Sequence, residues 1–453
     1  MRLIIIGGGI SGLSLAYFLL EQNPSLDLTV LESEKKAGGK IWTDKADGFL
    51  CEGGVNGFLD NRPRTLELVS KLSLTPLRSS DKARKRFIFS DKKLHRLPES
   101  PLAFLTSGLL SLPGRLRVVG EMFVPKGGSA EETLAEFARR RLGREAYEKL
   151  IDPMASGIFA GDPNVMSLKS CFPKVYNLEQ KYGSLIRGMI KMQNEAKKTG
   201  KKVGAGPGGI LTSFYDGMGS MIESLTNILG DRLKTGAKVV AVDTSENRYV
   251  VHCVDGTALD SDLVVLASPA HEAKGIVNSL DENLASVLGE IVYPAVSVVC
   301  LGYKRDKIRH PLDGFGFLIP NRERRKILGT LWDSSIFPNR APEGYVLLRS
   351  MLGGARMSDL ALIDKDRLVR LVMAELKATM GIRVEPDFSR VYTHGQGIPQ
   401  YSPDHEKRLE RIDGIMKRFK GMYITGNAYR GIGVNDCVEN SYNLALRVRE
   451  ENL

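Results

Sequence analysis

The first 32 residues constrain the fold more than any other part of the chain. Leu3 to Ile6 is a continuous apolar run, the pattern of a parallel strand buried on both faces. Gly7-Gly8-Gly9-Ile10-Ser11-Gly12 follows at once, and a helical pattern from about Ser11 to Gln22 puts Leu13, Ala16, Tyr17 and Leu20 on one face. A second strand, Leu26 to Leu31, ends at Glu32. Strand, GxGxxG, helix, strand and acid in this order predict a dinucleotide-binding unit. Gly7 permits the tight turn, Gly9 lets the backbone approach a pyrophosphate, and Gly12 lets the helix pack closely on the strand. The helix start at Ile10 and Ser11 offers free N–H groups to phosphate. Glu32, with Ser33 beside it, can accept hydrogen bonds from ribose hydroxyls.

A second glycine pair with a cation, Gly38-Gly39-Lys40, stands where it could meet the same pyrophosphate from the other side. Glu52-Gly53-Gly54-Val55-Asn56-Gly57 is a further polar, flexible turn, with Gly54 to Gly57 as candidate contacts. Near the C-terminus a short strand, Met422 to Thr425, leads to Gly426. Tyr429 to Cys437, with Ile432, Gly433 and Val434 at its centre, precedes a helix read as Val438 to Arg449. Taken together, these motifs resemble the flavin-containing amine oxidase superfamily. The resemblance implies FAD, its pyrimidine end meeting the C-terminal turn, so both ends of the chain meet in space. Lys40 stands where that superfamily usually has Arg, which keeps charge but loses the fork geometry.

Leu233 to Val242, Asn247 to Val254 and Leu263 to Ala267 read as strands, and Val239 and Val242 match the superfamily's adenine pocket. The expected fold is α/β: a Rossmann-like FAD-binding domain, a mixed-sheet substrate domain and a helical, membrane-associating insert. The FAD domain is discontinuous, from 1–70, 215–285 and 395–453. The substrate domain takes 71–96, 175–214 and 286–394, and the insert 97–174. Within the insert, Ser129 and Glu132 form a capping-box pattern opening a helix to about Leu150. Gly204 to Gly209 reads as a loop.

Three further strings narrow the resemblance to the protoporphyrinogen oxidase family. They are Ser156-Gly157-Ile158-Phe159-Ala160-Gly161-Asp162-Pro163, Gly314 to Pro320 followed by Leu328-Gly329-Thr330-Leu331, and Ile398-Pro399-Gln400-Tyr401 with His405 beyond. Asp404-His405 replaces a Gly-His seen in many members, and Gly53-Gly54-Val55 replaces a Gly-Pro. The family reaction takes six electrons from a porphyrinogen by repeated hydride transfer to flavin N5, in haem biosynthesis. O2 reoxidises the flavin and yields hydrogen peroxide. Protoporphyrinogen IX is favoured, with coproporphyrinogen III as the alternative. The resemblance also implies a homodimer and hand-off to a ferrochelatase.

By the same resemblance Arg86 pairs with a propionate, and a guanidinium suits a carboxylate. Gly157 brings a carbonyl near the pyrrole N–H groups, and Leu318, Leu331 and Met351 sandwich the macrocycle. Each is otherwise an ordinary core residue. No catalytic acid or base is assigned. The six histidines form no triad-like or metal-like local pattern.

Charge and length bear on what remains. Lys and Arg number 64 against 53 Asp and Glu, a formal net charge of +11. It fits a carboxylate-bearing substrate, an anionic membrane surface or plain solvated surface; no nucleic-acid motif accompanies it. The five cysteines stand far apart, which points to a reducing, cytoplasmic setting. The uncharged stretch Ser100 to Gly114 has 15 residues, short of the roughly 20 that span a bilayer. Residues 97–124 interleave apolar side chains with Arg115, Arg117 and Lys126, which suits peripheral contact with the inner face of the cell membrane. Two rivals stay open: another FAD-dependent amine oxidase or polyene desaturase, and a non-enzymatic binder like the Rab escort proteins, which share the architecture without flavin. The intact glycine motifs oppose the second.

Overall fold

The computed structural model describes residues 1–453 except 99–102, 104–105, 128–130, 199–207, 247 and 453. A five-stranded parallel sheet is assembled from distant parts of the chain. Its order is Leu233–Thr235, Asp27–Glu32, Arg2–Ile6, Leu263–Leu266 and Met422–Ile424. Leu3, Ile4 and Ile5 are fully buried, as an apolar run in a covered parallel sheet requires. Helix Ile10–Gln22 packs on one face with helix Val434–Asn452 against it. Ser441 Oγ donates to Ser11 O at 2.8 Å, and the Phe18 and Tyr442 rings meet edge-on at 5.2 Å. The two ends of the chain therefore share one core.

A seven-stranded mixed sheet forms the second layer. Its order is Phe388–His394, Val296–Lys304, Tyr345–Gly353, Ile327–Leu331, Gly316–Leu318, Arg86–Ser90 and Lys93–Arg96. All neighbours are antiparallel except Gly316–Leu318 with Arg86–Ser90. One face is covered by helix Lys365–Met380 through Leu368, Val372 and Leu376. The other carries the candidate substrate residues.

Three sequence expectations change. The strand read over Leu233 to Val242 is two strands in different sheets, Leu233–Thr235 and Val239–Ser245, broken at Gly236 with φ 71°. The strands adjoin in sequence, and the run Ala237 to Val242 beyond the break reads on from Leu233 as if continuous. The C-terminal helix begins at Val434, a turn earlier than Val438, because Gly433 O already accepts from Cys437 N. In the insert, Ser129 lies outside the described residues. The capping box present there is Thr133 with Glu136, opening helix Leu134–Leu142. That helix stops at Gly143, φ 88°, instead of running to Leu150. Residues 204–207 of the expected loop, and Asn247, also lie outside the described residues.

The insert is held by charge as much as by apolar contact. Arg141 and Glu121 are fully buried and paired at 3.0 Å, and Arg141 also meets Glu179 at 2.5 Å. Glu121 accepts from Ser184 Oγ, Leu185 N and Ile186 N, so the network satisfies its own desolvated groups. No described helix is long and apolar enough to cross a membrane.

Candidate active site

Ligands of open parallel sheets sit beyond the carboxyl ends of the strands. Here those ends bring Gly7 to Gly9, Glu32, Ala267-Ser268 and Gly426 together. Gly7 has φ 113°, and a Cβ there would lie 2.9 Å from the Ala267 backbone. A Cβ on Gly12 would lie 2.0 Å from Gly7 O, which is why helix and turn can touch. Above Gly9 nothing lies within 4 Å of an added Cβ. That open space sits at the start of helix Ile10–Gln22, whose first turn, Ser11 included, carries no side-chain cap. Its N–H groups are free for phosphate.

Gly38-Gly39 closes over the same turn: Gly38 N donates to Gly8 O at 2.8 Å, and a Cβ added at Gly39 would lie 3.5 Å from Gly9 Cα. Lys40 follows, its Nζ 2.5 Å from Gln396 O, with burial holding its pKa below the ordinary lysine value. Glu32 is buried and accepts from Gly8 N at 2.7 Å, Glu34 N at 2.8 Å and Ser33 Oγ at 3.1 Å. Val239 is buried in one cluster with Ile6 and Leu31. The turn Gly54, Val55, Asn56 and Gly57 lies beside Lys40, with Val55 N donating to Lys40 O at 3.4 Å. Both polar atoms of the Asn56 side chain are buried without a partner, as a group awaiting a ligand would be.

At the other end of the cradle, Gly431 has φ 96° and Gly433 precedes the Val434–Asn452 helix. Ile432 packs into the cluster of Leu134 and Phe159. Tyr401 pins the loop before this helix. Its hydroxyl donates to Asn427 O at 2.6 Å and accepts from Gly431 N at 3.0 Å. His405 stacks on the Tyr401 ring at 4.1 Å and donates to Tyr429 O at 2.8 Å.

The substrate candidates fall on one face of the seven-stranded sheet. Arg86 pairs in register with Gly316, and Gly316 with Leu331; Leu318 pairs with Gly329, and Gly329 with Met351. Residues opposite one another, and two apart, share a face. Arg86, Leu318, Leu331 and Met351 thus point the same way, the three apolar ones half-buried. Helix Asp152–Phe159 crosses this face so closely that a Cβ on Gly157 would meet the Leu318 side chain at 2.6 Å. Arg86 lies over the Phe315 ring at 5.1 Å and has no carboxylate partner among the described residues.

Sequence reasoning missed three groups at this junction. Ser268 Oγ is buried without a partner at the end of a parallel strand, a position that alone could have flagged it. Arg349 is buried in an apolar strand, and that interruption of Leu347-Leu348-Arg349 was its signal. His394 is held below its ordinary pKa by burial and by Lys40, and nothing local in the sequence marks it. No group of three or more His, Cys, Asp or Glu among the described residues could hold a metal ion.

Comparison with known proteins bears directly on this cradle. The family described as flavin containing amine oxidoreductase matches residues 10–449. The coproporphyrinogen III oxidase of Bacillus subtilis (strain 168) is 31% identical, covering 97% of this chain and 96% of that protein. The chloroplastic protoporphyrinogen oxidase 1 of Arabidopsis thaliana is 32% identical, covering 98% of this chain and 87% of that one. A crystal structure from Exiguobacterium sp. 255-15, described provisionally as a protoporphyrinogen oxidase, superposes with a TM-score of 0.85 at 26% identity, over 100% of this chain and 99% of that one. The open space above Gly9, the uncapped helix and the unpartnered Asn56 amide fit a flavin dinucleotide. With the match running through nearly the whole chain, the conclusion is direct: the protein belongs to the flavin-containing amine oxidoreductase family and is an oxidoreductase whose cofactor is FAD.

Proposed function

We infer that this oxidoreductase oxidises a porphyrinogen, protoporphyrinogen IX to protoporphyrin IX, in haem biosynthesis. The observation that carries the reading is the half-buried apolar face of Leu318, Leu331 and Met351, roofed by the Gly157 helix, with unpaired Arg86 at its far edge. A flat apolar ring bearing a carboxylate has that shape and charge. FAD, when bound, supplies the acceptor for the hydride equivalents, six electrons in all, with O2 as the final oxidant reduced to hydrogen peroxide. The chain's own residues hold and orient. Gly157 can turn its carbonyl to pyrrole N–H groups that would otherwise lose their water partners. Arg86 binds a propionate, and the apolar pair of surfaces excludes water. Gly7 to Gly12, Gly39, Lys40 and Glu32 hold the dinucleotide. Gly54 to Gly57, Gly426 and Ile432 to Val434 meet its ring end.

Coproporphyrinogen carries propionates where protoporphyrinogen has vinyl groups, so it calls for more free cations. The cations lining the adjoining cleft are already engaged: Arg356 with Asp152 at 2.6 Å and Asp162 at 2.8 Å, Arg325 with Glu375 at 3.7 Å. This favours protoporphyrinogen. Coproporphyrinogen III remains the second reading because the Bacillus subtilis relative is matched along almost its whole length. The test is porphyrin fluorescence appearing from each porphyrinogen with the yellow holoprotein. Faster turnover of coproporphyrinogen would select the second reading, and a flavin-loaded protein inert on both would overturn the porphyrinogen reading.

A membrane contact is part of the same reading. Leu112, Leu116 and Phe123 are 62%, 63% and 79% exposed on helix Leu112–Val119 and the turn after it. Such a row suits seating in a lipid headgroup layer at the inner face of the cell membrane. Leu116→Glu with Phe123→Glu should abolish co-sedimentation with anionic vesicles. Unaltered sedimentation would remove the membrane from the account.

A further inference from the structure

Three consecutive backbone carbonyls of the turn beside the cradle are captured by side chains of the substrate sheet. Arg349 Nη1 donates to Glu52 O at 3.2 Å and to Gly54 O at 3.0 Å. His394 Nε2 lies 2.8 Å from Gly53 O and donates to it. From the opposite side, Gly53 N donates to Trp42 O at 2.7 Å, and a Cβ on Gly54 would sit 2.2 Å from Lys40 O. The turn is therefore clamped between the Lys40–Trp42 segment and the sheet, with no freedom to shift alone.

Arg349 is itself fixed. It is buried, and its Nε lies 3.1 Å from Oδ2 of buried Asp333. A buried ion pair is a poor way to gain stability, since an apolar pair of similar volume often does as well. Its placement offers another reason. Arg349 pairs in register with Leu331, and Leu331 with Gly316 and Arg86 beyond it, so Arg349 shares the face of the substrate candidates, about 14 Å along the row from Arg86. Met351, two residues on, points to the same face. The strand that presents Met351 to the ring also grips the turn that borders the flavin cradle.

We propose that Arg349 and His394 are positioning residues: by holding the carbonyls of Glu52, Gly53 and Gly54 they fix the substrate face at one distance from the cofactor turn. The proposal rests on the oxidoreductase reading above. Hydride transfer demands reacting atoms within about 3–3.5 Å, and a displacement of about 1 Å can cost roughly 100-fold in rate. A loosened clamp should thus act on turnover and not on substrate capture, because Arg86 is untouched.

The test uses holoprotein carrying Arg349→Met together with Asp333→Asn, which removes both buried charges at once, and separately His394→Ala and His394→Gln. Two quantities are read: the visible circular dichroism of bound FAD, which needs no substrate, and the separation of kcat from KM. The double variant should keep its flavin, show an altered dichroism band and lose kcat about 10- to 100-fold with KM unchanged. His394→Ala should behave likewise, and His394→Gln, whose amide can still donate to Gly53 O, should restore most of both signals. Unchanged dichroism and kcat in the folded variants, or a rise in KM alone, would overturn the proposal. Should the double variant fail to fold, the two His394 variants decide. Should the parent protein oxidise no porphyrinogen, the functional reading falls, while the dichroism still decides the clamp.

Discussion

The cofactor cradle and the proposed substrate face are built by different means. The cradle is made of backbone: turns at Gly7–Gly9 and Gly38-Gly39, an uncapped helix start, and one buried acid. The face is made of side chains, projected at alternate positions from strands that come from residues 86–90, 316–318, 327–331 and 345–353. A backbone site depends on what is missing, namely Cβ atoms, and tolerates almost no substitution. A side-chain site depends on what is present, and each residue can be trimmed with the fold kept. Separate variants should therefore separate cofactor loss from substrate loss.

The largest effect should come from Gly12→Ala. Its methyl group would lie 2.0 Å from Gly7 O, a backbone atom that cannot give way. Overpacking of this kind costs about 1–3 kcal/mol, and the phosphate turn must deform to relieve it. The variant should purify without flavin and melt lower; a yellow protein of unchanged Tm would break the cradle side of the comparison. Glu32→Ala should weaken FAD binding without abolishing it. It leaves Gly8 N and Glu34 N without their acceptor and removes the carboxylate proposed to face the ribose, for about 1–3 kcal/mol. FAD titration should show affinity weakened by about tenfold or more. Unchanged affinity would detach Glu32 from the ribose.

The smallest effect should be on pH response, and it belongs to the seam between the two regions. Burial lowers the pKa of both His394 and His405, with Lys40 adding to the first and Arg408 to the second. His405 Nδ1 is buried without a partner, so a second proton there finds no acceptor. The unfolded chain takes up these protons near pH 6.5, the folded protein only at lower pH. Stability is thus full above about pH 6.5 and declines as pH falls through the folded values. Thermal melts should show Tm dropping below that point, and His405→Gln should flatten the drop. A Tm that rises on acidification would contradict the buried, neutral histidines.

The same contrast explains what could be read from residue order alone. The apolar run Leu3–Ile6 and the glycines after it are contiguous, and the parallel strand Arg2–Ile6 and its helix formed where the pattern put them. The C-terminal turn was legible for the same reason, although its helix began earlier than the apolar period indicated. Arg349 and His394 were not legible. Their partners, Gly54 O and Gly53 O, are 295 and 341 residues away, and a backbone carbonyl has no sequence signature. The break at Gly236 was missed because strands of two sheets adjoin in sequence with only Gly236 to Lys238 between them. In the insert, the apolar pattern of Ala135 and Ala138 continues through Tyr147 into the same cluster while Gly143, φ 88°, breaks the helix, so periodicity overran the helix end.

The division of labour between backbone cradle and side-chain face is tested most directly by the porphyrinogen KM of Arg86→Ala, measured with its flavin content. Arg86 sits at the edge of the face, and among the described residues no ion pair ties it to the cradle. Losing one charge-assisted carboxylate contact of about 1.5–3 kcal/mol should raise KM about 10- to 100-fold with flavin content at the parent level. An unchanged KM, or a protein that loses its flavin, would contradict the account.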